Sequence, residues 1–153
     1  MVMSTLHTNS APETLTRLRN MGVPSFNIAT SVNLVIAQRL ARRLCGQCKS
    51  ASDVPEQSLL EMGFTPEDLA TGFTIYQPVG CSECRDGYKG RVGIYEVMKV
   101  TPAIARIIME DGNAIQIADA STQAGFDNLR RSGLRKVIQG LTSLQEINRV
   151  TSE

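Results

Sequence analysis

The chain has 153 residues, 42% hydrophobic and 20% charged, ordinary globular proportions that allow one compact domain or two small ones and exclude a disordered chain or a large multidomain machine. Sixteen Lys and Arg against fifteen Asp and Glu give a net charge of +1, so no chain-wide field draws the protein to nucleic acid or anionic lipid. No apolar run nears the ~20 residues that cross a bilayer, Met1 to Leu6 carries no basic leader region, and the composition reads as cytosolic.

Val2 to Leu6 is short, apolar and β-permissive, and it runs into His7-Thr8-Asn9-Ser10, so the chain is expected to open inside a strand. Ser10 can cap a helix with Pro12 in its first turn, carrying Leu15, Leu18 and Met21 on one face with Arg17 and Arg19 beside it. Gly22-Val23-Pro24 stops it. From Asn27 to Leu44, Ile28, Val32, Ile36, Leu40 and Leu44 recur every four residues with Val35 on the same face, which predicts the longest helix of the chain, running into Cys45. Pro55 to Met62 reads as a short helix, Thr65-Pro66-Glu67-Asp68 opens a second, and Phe73 to Gln77 alternates like a strand. Gly87-Tyr88-Lys89-Gly90 is a turn, followed by a strand from Arg91 to Val100. Thr101-Pro102 starts a helix that runs through Met109 and ends at Asp111-Gly112, with Ile104, Ile107, Ile108 and Met109 facing the core rather than a docked partner. Asn113 with Gln116, and Thr142 with Gln145, resemble capping boxes, so the last third reads as three or four short helices. Leu129, Leu134, Val137, Ile138 and Leu141 supply their apolar contacts, and Arg130, Arg131, Arg135 and Lys136 form a solvated face.

Four cysteines fall in two C-x-x-C pairs, Cys45-Gly-Gln-Cys48 and Cys81-Ser-Glu-Cys84, with 32 residues between them. Each turn aims two sulfurs into one small volume, and two facing turns complete a tetrahedral zinc site with bonds of about 2.3 Å. Cys45, Cys48, Cys81 and Cys84 are therefore the metal-ligand candidates. With all four positions filled by thiolate, the metal is expected to hold structure and perform no catalysis. A redox dithiol is the first competing use of these residues. It wants one C-x-x-C at a helix start after a strand, whereas the first pair here is expected to follow a helix. An iron–sulfur cluster is the second, although zinc is the commoner occupant of paired turns. The intervening span exceeds the ~15–20 residues of a simple ribbon, so a small subdomain must lie inside it, and loss of metal is expected to loosen residues 45–98.

Ser4-Thr5-Leu6-His7-Thr8-Asn9 fits the place where ligands sit in open α/β sheets, just past the carboxyl end of a strand. There His7 could contact a phosphate oxygen and the Thr5 and Thr8 hydroxyls could order water. The plainer alternative is that His7 bonds locally and Ser10 merely caps the next helix. A nucleotide enzyme also needs a phosphate cradle of the form G-x-x-x-x-G-K-[ST]. No Gly-Lys pair occurs in this sequence, and no apolar strand ends in an acidic pair suited to magnesium.

Taken in series, several segments resemble the type IV pilus assembly and type II secretion ATPases. They are Ser4 to Asn9, Ala37 to Cys45, the two cysteine pairs, Gly87 to Glu96 and Gly140 to Glu146. The resemblance implies an α/β chain of α+β character. Residues 1–44 would end a RecA-like ATPase core, residues 45–98 would form an inserted zinc-binding subdomain, and residues 99–153 would form a C-terminal helical subdomain. It implies a homohexameric motor at the cytoplasmic face of a bacterial inner membrane, with Met1 inside a strand of a longer parent. ATP and magnesium would belong to that parent, and the isolated chain would be inactive. In the family the histidine-containing motif helps sense the γ-phosphate, which makes His7 the catalytic-support candidate, Arg17 a subunit-interface candidate, and Thr5 and Thr8 cofactor-binding candidates. The four-cysteine site resembles assembly and secretion motors rather than the related retraction motors, and Gln123 to Thr151 looks more like the pilus branch than the type II secretion branch. Implied partners are sister subunits, an inner-membrane platform protein and a small regulatory adaptor of the PilZ type, with no nucleic acid and no transmembrane segment. An alternative of another class is a zinc ribbon that contacts nucleic acid through Arg39, Arg42, Arg43 and Lys49. Its phosphate contacts would weaken steeply with salt, and the net charge and the scarcity of aromatics argue against it.

Overall fold

A computed structural model describes residues 1–152. Eight helices and four strands alternate in a mixed α/β chain: α1 (Ala11–Asn20), α2 (Ser25–Ser31), β1 (Leu34–Leu44), β2 (Ser50–Ser52), α3 (Glu56–Met62), α4 (Pro66–Thr71), β3 (Ile75–Gln77), β4 (Tyr88–Lys99), α5 (Pro102–Met109), α6 (Ala114–Gln123), α7 (Leu129–Ile138) and α8 (Leu144–Thr151). The chain divides into two compact units. Unit 1 joins Met1–Gln38 to Tyr95–Leu129, and unit 2 joins Arg39–Ile94 to the segment from Arg130 onward. The long strands β1 and β4 pair with each other, and the short strands β2 and β3 form a separate sheet. At one end of the long ribbon Val100 N–H donates to Asn33 O at 3.0 Å, and at the other Cys45 N–H donates to Gly87 O at 2.9 Å, so its strands are antiparallel.

In unit 1, α2 packs on α5, α1 on α6, and α5 on α6. Leu15, Ile28, Met98, Ile104, Ile108 and Ile117 are among its most deeply buried side chains. The Ser10 hydroxyl accepts Glu13 N–H at the start of α1, Thr101 accepts Ile104 N–H at the start of α5, and Asn113 and Gln116 form a complete capping box on α6. Three of the expected helix starts are therefore where their residues place them. Ile104 and Ile108 face the core as expected, whereas Met109 is about half exposed.

In unit 2, Thr65 and Asp68 cap α4 reciprocally, the Phe64 and Phe73 rings stack with centroids 5.2 Å apart, and β2 pairs antiparallel with β3 through Ala51 and Tyr76. Gly133 on α7 lies so close to Ile147 on α8 that a Cβ there would come within 3.0 Å of it.

Several expectations are corrected. Residues 27–44 do not form one helix: α2 ends at Ser31, and Leu34–Leu44 is strand β1. A four-residue spacing is twice the strand repeat and close to one helical turn of about 3.6 residues, so it could not discriminate. On β1 the buried residues are Val35, Ala37, Ala41 and Leu44, while Ile36 and Leu40 are exposed. Met1 to Thr8 carries no strand and is almost wholly exposed, there being no ladder partner for it among the described residues. The cap of α8 is Ser143, not Thr142; Thr142 instead donates its hydroxyl to Arg42 O at 2.8 Å. Arg130 and Arg131 are not merely solvated. Arg130 donates to Met62 O at the carboxyl end of α3, at 2.8 and 3.0 Å, and Arg131 makes a two-pronged pair with Asp68.

The carboxylate of Glu146, 1% exposed, accepts from the Arg42 guanidinium at 2.9 and 3.1 Å and the Arg42 amide at 3.0 Å, and also pairs with Arg149. Burial raises its pKa, but the Arg149 and Arg42 hydrogen bonds outweigh that and bring it from 4.5 to about 2. The Arg131 guanidinium holds Asp68 well below the usual carboxylate range. Both shifts are downward, so the stability they contribute is complete above pH ~4.5 and is lost as pH falls toward 2, on the order of 3 kcal/mol for Glu146. Denaturant unfolding of unit 2 between pH 6 and pH 2.5 should show this loss, and Glu146→Gln should remove much of the slope. An identical pH profile in the two proteins would contradict it.

Candidate metal centre

Strand β1 ends at Leu44 and delivers Cys45 directly. A turn then brings Cys48 back under it, with Lys49 N–H donating to Cys45 O at 3.1 Å. The second pair lies in the loop before β4, where Arg85 and Tyr88 exchange two backbone hydrogen bonds of 3.0 Å. Between them Asp86 and Gly87 take positive φ values of 54° and 89°. A side chain on Gly87 would meet Pro78 Cβ at 2.4 Å, so this tight return depends on glycine. Residues 36 positions apart in sequence thereby meet at the end of one ribbon.

The four sulfurs of Cys45, Cys48, Cys81 and Cys84 lie within 4.8 Å of one another and could hold a metal ion. Cys45 to Cys81 is 3.8 Å, Cys48 to Cys84 is 3.7 Å, and Cys81 to Cys84 is 3.6 Å. A disulfide requires about 2.05 Å, and all four cysteines are free. A tetrahedron with metal–sulfur bonds of about 2.3 Å has sulfur–sulfur edges of about 3.8 Å, so the cluster already has the dimensions of a four-thiolate site. Gly80 N–H donates to Cys48 Sγ and Cys81 N–H to Cys84 Sγ, each at 3.3 Å. Such amide donors favour thiolate over thiol.

Charge makes the case for a cation. The Gln47 amide, with help from that of Cys48, brings the Cys45 thiol from 9.0 down to about 7 against the cost of burial. At Cys81 the Glu83 amide also pulls downward, but burial and the sulfurs of Cys84, Cys48 and Cys45 push the thiol up to about 12. Four thiolates cannot share this volume unless a positive ion sits among them. Nearby, Arg43, Lys49 and Lys89 line a cavity of about 260 Å³ beside the first turn, where positive charge would favour the net −2 that a divalent ion with four thiolates would carry.

The strand that leads into Cys45 changes one exclusion. The first pair does follow a strand, but what comes after Cys48 is β2 and not a helix, so the helix-start setting of a redox C-x-x-C is missing at that turn. Of the cations weighed for nucleic acid, Arg42 is engaged by Glu146 and lies 4.2 Å from the centre of the Tyr88 ring, while Lys49 donates to Gly140 O and lies 4.3 Å from that of Tyr76.

The other candidate residues lie in unit 1, whereas the sulfurs belong to unit 2. Thr5 and His7 are exposed in the irregular opening segment, and Arg17 is exposed on α1. Thr8 is half-buried, its hydroxyl 2.7 Å from that of Thr14. Sequence reasoning missed Glu96, Glu146 and Ser143 as organising residues. Two signals were available: an acidic residue at an inward position of an alternating strand, as Glu96 is on β4, and the S-x-x-E capping pattern of Ser143 and Glu146.

The chain belongs to the type II/IV secretion system protein family, whose model matches residues 1–149. It is 77% identical over its whole length to the type IV pilus assembly ATPase PilB of Acinetobacter baylyi, and spans 27% of that protein. It is 65% identical, again over its whole length, to the type IV pilus assembly ATPase PilB of Pseudomonas aeruginosa, of which it also spans 27%. The type II secretion system protein E of Aeromonas hydrophila is 40% identical over the whole chain, which spans 30% of it. The chain thus corresponds to about a quarter of the length of its pilus-assembly relatives. Among the described residues, no helix is long and apolar enough to cross a membrane.

Elemental analysis of the purified chain should find about one equivalent of divalent metal, and Cys48→Ser or Cys84→Ser should lose most of it. Chelation should raise hydrogen exchange around residues 45–52 and 78–90 in particular. A metal-free chain that keeps full protection there would overturn the assignment.

Proposed function

We propose that this chain is the zinc-bearing C-terminal portion of a hexameric ATPase that powers type IV pilus assembly at the bacterial inner membrane. The observation that carries the reading is the 77% and 65% identity to two pilus assembly ATPases over the full chain, against 40% to a type II secretion protein E. In this reading residues 1–44 complete a RecA-like core, residues 45–98 form the zinc-binding part and residues 99–153 the helical part. Sister subunits, an inner-membrane platform protein and a PilZ-type adaptor are the proposed partners.

Cys45, Cys48, Cys81 and Cys84 would hold the zinc. Bound there, the ion supplies cross-linking and charge balance, since no coordination position remains for substrate or an activated water. ATP and magnesium would be held by residues outside this chain, because the phosphate cradle needs a Gly-Lys step that the sequence does not contain. The chain's own contribution to chemistry is then the segment from Ser4 to Asn9. Its imidazole at His7 would donate a hydrogen bond to a γ-phosphate oxygen, with Thr5 and Thr8 as the proposed cofactor-binding residues of the same segment. Arg17, exposed on α1, would serve as a contact to a neighbouring subunit.

Two measurements test this. The purified 153-residue chain should show no ATP turnover above background. In the full-length protein, His7→Ala should lower kcat about tenfold or more with metal content unchanged. Turnover by the chain alone, or full activity of the His7 variant, would defeat the proposed division of labour.

A further inference from the structure

Glu96 is the buried acid of unit 1, and the established family membership assigns it no task. It lies on the inward face of β4 between Ile94 and Met98, both fully buried, and is itself 4% exposed. An acid at such a position costs free energy unless polar groups meet it. Its Oε1 accepts the N–H of Ala11, the first residue of α1, at 2.6 Å, and the backbone of Leu129 also favours the ionised form. The Ala11 amide opens α1, where unpaired donors and the positive end of the helix dipole favour a carboxylate.

The N-terminal side of α1 is tied to this point in turn. The Ser10 hydroxyl accepts Glu13 N–H at 3.3 Å, Glu13 Oε2 accepts Asn9 N–H at 3.2 Å, and Thr8 and Thr14 share a 2.7 Å hydroxyl contact. The segment from Thr8 to Thr14 is thereby cross-linked within itself, and the Ala11–Glu96 bond, 85 residues distant in sequence, is a long-range polar anchor for it. His7 precedes that segment by one residue.

We infer that Glu96 is a positioning residue that fixes the start of α1 on β4 and so sets where the His7 segment stands. The inference rests on the role proposed above for that segment, but Glu96's hold on α1 can be measured without it. Burial, together with the negative charge of Glu13, pushes the Glu96 pKa upward, while the Ala11 amide and the backbone of Leu129 oppose this. A glutamine, which keeps an acceptor oxygen at nearly the same place, should therefore serve almost as well as the acid.

The test uses Glu96→Gln, Glu96→Asp and Glu96→Ala. In the 153-residue chain, hydrogen exchange at Ala11 and the amides beside it should rise about tenfold or more in Glu96→Ala and Glu96→Asp, and stay within about threefold of wild type in Glu96→Gln. The aspartate variant keeps the charge but draws it back by one methylene, so it decides the matter if the alanine variant does not fold. In the full-length protein, Glu96→Asp should lower kcat severalfold with little change in KM for ATP, and Glu96→Gln should restore most of it. Unchanged exchange at Ala11 in a folded Glu96→Asp chain overturns the inference, and so does normal kcat in Glu96→Asp when His7→Ala is impaired. If His7→Ala is itself fully active while exchange responds as expected, the anchor stands and only the catalytic role of His7 falls.

Discussion

Four sulfurs held within 4.8 Å of one another are the constraint on which unit 2 depends. Left alone they repel as thiolates or stay protonated, and in either form they contribute little cohesion. With a divalent ion among them the same four groups become a cross-link between two loops, with an apparent strength of ~10–16 kcal/mol in small zinc peptides, which rivals the stability of an entire domain. The fold has to bring them to that spacing first. It does so by ending β1 at the residue before Cys45 and by returning the chain through Gly87, whose carbonyl takes the Cys45 amide.

A two-stranded ribbon is marginal in water without further packing, and backbone accounting shows where support arrives. Leu44 N–H goes to Leu141 O at 2.8 Å, Arg42 O takes the Thr142 hydroxyl, the Tyr88 hydroxyl pairs with that of Ser143 at 2.6 Å, and Arg42 is gripped by Glu146. The stretch from Leu141 to Glu146 thus braces both strands of the ribbon just before the metal turns. The buried hydroxyls of Thr142 and Ser143 are satisfied by these contacts, which accounts for polar residues at positions with no exposure to solvent.

The cysteines were legible because two C-x-x-C pairs state their chemistry in four residues. The caps at Ser10, Thr65, Thr101 and Asn113 were legible because capping is local. What could not be read was anything decided by a distant partner. The apolar residues at 28, 32, 36, 40 and 44 suit a helix and a strand equally, and pairing with β4 settled the matter in favour of β1 for 34–44. Arg130 and Arg131 looked like solvated charge because their acceptors, Met62 O and Asp68, lie more than sixty positions away. Thr142 looked like a cap because nothing nearby announced that Arg42 O needed a donor.

Glu96 and Glu146 make the same point chemically. Both are buried glutamates in a chain of nearly balanced charge, yet their pKa values move in opposite directions. Glu146 meets two guanidinium groups, and full charges overcome the cost of burial. Glu96 meets amides, which carry only partial charge, and burial prevails. The first arrangement gains strength from ionisation and suits a fixed brace beside the four-cysteine cluster. The second works through the position of an oxygen more than through its charge, which suits a group whose task is to register one helix start against a strand. The two buried acids thus do different work, and the difference follows from whether a whole cation or a peptide dipole stands opposite.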